Sequence, residues 1–66
     1  MDATQHVNGG TATEAVKEAA LAVAKAWQTL TKAGEDDAAA IIMAAGEKAF
    51  EAHVFSEAVV QAVAEA

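Results

Sequence analysis

The segment Lys32-Ala33-Gly34-Glu35-Asp36-Asp37 constrains the fold more than any other, because there a helix stop and a helix start lie back to back. Gly34 can take the left-handed conformation that closes a helix, and Lys32 sets a cation beside the last carbonyls. Glu35, Asp36 and Asp37 set anions at the positive end of whatever helix follows. So short a link returns the chain antiparallel to itself, which predicts an αα-hairpin. The predicted organisation is a flexible N-terminal tail over 1–10 and one helical domain over 11–66. Within that domain the expected elements are a helix over about 12–33, a turn at 34–35 and a helix over about 36–65.

An all-α fold follows from twenty alanines and no proline in 66 residues, since alanine is the best helix former and proline the worst. A lone core is marginal at this length, and small domains often draw on disulfides, metals or oligomerisation. With no cysteine, disulfides, thiolate chemistry and cysteine-based zinc sites are excluded.

Ten acids against four lysines and no arginine give a net charge of −6. Phosphate binding needs clustered cations, whereas Lys17, Lys25, Lys32 and Lys48 stand singly among acids, so neither nucleic acid nor an anionic membrane surface is an expected partner. The first ten residues carry no basic or apolar run, so no secretory leader is expected. The longest apolar stretch, Ala38 to Gly46, spans nine residues, far short of the roughly 20 that cross a bilayer. A soluble protein, cytoplasmic by default, is the resulting expectation.

In the first arm Thr11 and Glu14 have capping-box spacing, with Thr13 a competing cap. Val16, Ala20, Val23, Trp27 and Leu30 then recur every three or four residues as an apolar seam, widened by Ala12, Ala15, Ala19, Ala24 and Ala26. Glu14, Lys17, Glu18, Lys25, Gln28 and Lys32 fall opposite, with Leu21 projecting among them.

The second arm is less regular. Ala38, Ile41, Ile42, Met43, Ala45 and Phe50 surround most of its first half, while Phe55, Ala58, Val59, Ala62 and Val63 form a stripe in its second half. The two stripes differ by about 100° on a helical wheel. Gly46, costing about 1 kcal/mol against alanine within a helix, lies between them. Either the helix is continuous and its apolar surface winds around it, or it kinks or breaks at Gly46 into a three-helix unit. A continuous arm of about 44 Å would overhang a first arm of about 33 Å, leaving Val59, Val60 and Val63 without a partner in the hairpin. That surplus predicts self-association, most simply as an antiparallel four-helix dimer.

Chemistry-bearing groupings are sparse. His53 and Glu57 share a face at the spacing of two metal ligands, but no Glu-x-x-His motif accompanies them. Glu47 and Glu51 are spaced like paired carboxylates, and Lys48 can bridge to Glu51. Ser56 has His53 nearby but no third member of a triad. Gly9-Gly10 has neither the strand nor the lysine of a phosphate loop. No catalytic residue, cofactor or metal site is assigned, and the chain is not expected to be an enzyme.

What remains is a non-enzymatic helical assembly or interaction module, working through an apolar helix surface on itself, as a dimer, or on another protein. The expected partner-facing residues are Leu21, Trp27, Ile41, Phe55, Val59 and Val63, with large rings the natural hot spots. The alternative is a small acidic inhibitor or antitoxin-like protein covering a basic surface with Glu35, Asp36, Asp37, Glu47, Glu51 and Glu57.

Overall fold

The structure, a computed structural model, describes residues 13–66. The expected tail over 1–10 and the Thr11 cap lie outside the described residues. Three helices follow in order, α1 (Glu14–Lys32), α2 (Asp36–Ala49) and α3 (Ala52–Glu65).

Thr13 caps α1: its Oγ1 accepts from the Val16 backbone N–H at 3.2 Å, satisfying one of the donors that a helix start leaves orphaned. At the other end Gly34 has φ +80°. The Gly34 N–H donates to the Thr31 carbonyl at 3.1 Å and the Glu35 N–H to the Leu30 carbonyl at 2.9 Å. These two bonds make a Schellman closure, which needs a left-handed residue at that one position. Asp36 and Asp37 occupy the first turn of α2, where the helix dipole favours negative charge.

The expected pair of long helices is corrected here. The second arm is two helices, and the break falls after Gly46 rather than at it. Helix α2 runs through Gly46 to Ala49, and the Phe50 N–H still donates to the Gly46 carbonyl at 3.0 Å. Phe50 (φ −125°, ψ 155°) and Glu51 (φ −65°, ψ 148°) are then extended, and α3 begins at Ala52. The reason for a glycine at 46 is spatial. A Cβ built there would lie 2.5 Å and 2.7 Å from the two Cε atoms of Phe55 and closer still to Cζ. The Phe55 ring therefore lies directly on the α2 backbone, and the chain must turn between positions 46 and 55 to put it there. Phe50, in the link, stacks on Phe55 with centroids 6.0 Å apart and planes 16° apart, within the range of favourable aromatic pairs.

Helix α2 returns antiparallel to α1, and α3 runs parallel to α1. His53 and Val54, at the start of α3, share a cleft with Lys17 and Leu21, early in α1. At the far end Glu65 meets Lys25 at 2.9 Å. The expected overhang is thereby removed: two helices of 14 residues fold back along one of 19, about 21 Å each against about 28 Å.

Helix α1 is the spine, with α2 and α3 each laid along it and touching each other little. Ala20 and Ala24 of α1 meet Val54, Phe55, Ala58 and Ala62 of α3 in one buried cluster. Alanines four apart on both helices let the backbones approach closely. Ala39 is the remaining buried apolar side chain, and none of the described polar or charged side chains is buried. Leu21 does not project into water as expected. It is half-buried against the core cluster, because α3 lies over the border between the apolar seam, at Ala20 and Ala24, and the polar side, with Lys17, Lys25 and Lys32 as its rim.

Candidate functional site: the groove between α2 and α3

Since α2 and α3 are each held by α1 and hardly by each other, a groove opens between them. Met43 and Glu47 line it from α2, and Ala52, Phe55, Ser56, Val59 and Val60 line it from α3. Its volume is about 470 Å³. Glu47 and Ser56 supply its polar side chains; the rest of the lining is apolar.

Helical periodicity places these residues. On α2, Asp36, Ala40, Met43 and Glu47 follow one another by four, three and four residues, so they form one stripe with an acid at each end. On α3 the core residues Val54, Ala58 and Ala62 face α1, and Ala52, Ser56, Val59 and Val60 come round towards the groove. Val60 is 67% exposed, and Val63, about 40° from Val59 on the wheel, is 50% exposed. Aliphatic side chains left in water at this level forgo on the order of 1 kcal/mol or more each.

The residues expected to face a partner do not form one patch. Val59 lines the groove, half-buried, and Val63 continues its side of α3. Ile41 is 69% exposed, but it lies about 160° around α2 from Met43, on the outer face. Trp27 is half-buried in α1 and Leu21 packs against the core. Phe55 is 3% exposed; it forms the groove floor and has almost no surface of its own to offer. Met43, Ala52 and Val60 belong to the site but were not among the expected contact residues. The step between the two apolar stripes marks the break, but the face that it leaves open depends on where α3 lands.

Other groupings are dispersed. His53 Nδ1 lies 3.6 Å from Glu51 Oε1, with both side chains more than 70% exposed. His53 and Glu57 line a cleft of about 260 Å³ with Lys17, Leu21 and Gln61. No cluster of three or more metal-ligating side chains occurs among the described residues, and none of the described helices is long and apolar enough to cross a membrane.

Charge is segregated. Lys17, Lys25 and Lys32 line clefts along the α1–α3 seam, and Lys48 falls about 20° from Ile41 on the wheel of α2, on its outer face. Among the described residues no cation lines the groove. At the seam, Gln61 Nε2 donates to Glu65 Oε2 at 2.9 Å while Lys25 holds Oε1. These hydrogen bonds, first from Gln61 and then from Lys25, together with the lysine charge, lower the Glu65 pKa below the ordinary carboxylate value.

Compared with protein-family models, curated proteins and solved structures, the chain matches none, so its site is read from its own chemistry.

Proposed function

We propose that this chain is a non-enzymatic helical interaction module that seats an amphipathic helix, from a second copy or from another protein, in the groove between α2 and α3. The observation that carries the reading is the groove itself: an apolar trough between two helices, with Val60 at its lip 67% exposed. Helix-in-groove recognition uses this geometry, with apolar anchors at i, i+3 or i+4 and i+7 entering the trough. The described carboxylates and His53 are exposed rather than gathered in a dry cavity, which supports binding over catalysis.

The test pairs the wild type with Val60→Asp, a lip substitution expected to change stability by no more than about 0.5 kcal/mol. Solution mass is followed across protein concentration, alone and with a leucine-striped helical peptide flanked by glutamine. Wild type should gain mass in at least one arm, and Val60→Asp should abolish that gain with its circular dichroism unchanged. An aspartate variant that associates as well as wild type would sink the reading.

A further inference from the structure

We infer that the groove's occupant is a basic-flanked amphipathic helix of another protein, one carrying Lys or Arg on both sides of its apolar stripe. The inference rests on the groove being a helix-binding site and adds the identity of the helix. Three observations carry it.

The first is the sign of the charge at the groove. Glu47 lies in its lining and Asp36 at the far end of the same α2 stripe, with Ala40 and Met43 between them. A helix lying along that stripe would pass an acid at each end. The second is the placement of the cations. Three lysines line the α1–α3 seam on the other side of α3, and Lys48 lies on the outer face of α2. Among the described residues the groove therefore has no positive charge to offer an acidic ligand. The third concerns the competing occupant, a second copy of the chain. Each copy brings a net charge of −6, and symmetric pairing through the groove would set Glu47 and Asp36 against the same acids. Like charges across an interface select against a partner, and complementary ones select for it and speed its approach.

Length is set by the same surface. From Ala52 to Val63 the open side of α3 extends about 18 Å, so the helix it accepts is about 12 residues long in contact, three turns with apolar anchors on one face.

Two 18-residue helical peptides with the same leucine stripe, one flanked by lysine and the other by glutamate, are titrated separately into the full chain. The lysine peptide is expected to bind at least roughly tenfold more tightly at low salt. Most of that preference should vanish near 1 M salt, where the screening length is about 3 Å. Glu47→Lys should shrink the preference several-fold without unfolding the chain, because the side chain is exposed. Val60→Asp should weaken both peptides.

Equal binding of the two peptides, lost together in Val60→Asp, would overturn the charge inference and leave the groove reading standing. So would failure of both peptides alongside a Val60-dependent rise in mass with protein concentration, which would make a second copy the occupant. Absence of both peptide binding and self-association would overturn the inference and the groove reading together.

Discussion

The two long sides of α3 solve the same problem in opposite ways. Towards α1 it presents Val54, Ala58 and Ala62, at most 8% exposed and meeting Ala20 and Ala24 at 0%. Towards α2 it presents Ala52, Ser56, Val59 and Val60, and that side stays open. Small side chains let two helices close together, but each removes little area from water. On the groove side Val59 and Val60 stay partly wet. The seam is thus fully closed but built of small side chains, and the groove has apolar surface without a neighbour to cover it. Phe55 is the exception that joins them, a large ring accommodated because Gly46 opposite has no side chain.

Removing that ring attacks both sides at once. Phe55→Ala should cost about 3–5 kcal/mol, a large share of what a domain this small can hold, and chemical denaturation should find the chain largely unfolded. Next in size, Ala58→Leu should force the seam apart at a cost of about 1–3 kcal/mol. Val60→Asp, two residues along the same helix, should move the denaturation midpoint hardly at all. Equal costs at 58 and 60 would break the contrast between the two sides.

Gly46→Ala separates propensity from packing. In a simple helix alanine would gain about 1 kcal/mol, but here the new methyl meets the tip of the buried Phe55 ring, which must shift from its packed position. A net loss of about 1–2 kcal/mol is expected, and a gain would mean that the ring does not seat on α2.

The smallest effect is electrostatic. The folded-state pKa of Glu65 is lowered, so its contribution is present above the ordinary carboxylate value and is lost as pH falls through the lowered one. The melting temperature of wild type should fall towards that of Glu65→Gln as pH drops below about 4. At high salt the two should differ less at every pH, because Lys25 and Glu65 are about half exposed.

Much of the fold is legible in the sequence. Composition indicated an all-helical chain, and the Lys32–Asp37 signals placed the first reversal, because capping chemistry is local and each residue there has one evident role. The second reversal was harder to read. Gly46 looked like a helix breaker on propensity, yet its missing side chain serves a ring nine residues later, a contact that no local rule contains. The chain instead leaves the helix at Phe50 and Glu51, neither of which is a strong stop signal. The candidate site followed the same pattern. Periodicity sets Phe55, Val59 and Val63 on one stripe and Ile41 on another, but it does not say that Phe55 is buried at 3% exposure or that Ile41 lies on the outer face. Which exposed positions share a surface depends on α3 running parallel to α1, and that arrangement is tertiary.

The connectivity also has a kinetic meaning. Helices α1 and α2 meet through the three-residue link 33–35, so their pairing closes a short loop, whereas α3 reaches α1 only after α2 has crossed back. Contacts of low sequence separation form first in chains of this kind. The α1–α2 hairpin should therefore be formed in the folding transition state, with φ-values near zero at Ala58 and Ala62. By the same logic α3 is the part that detaches first under stress, and a ligand bridging α2 and α3 would act chiefly by slowing unfolding.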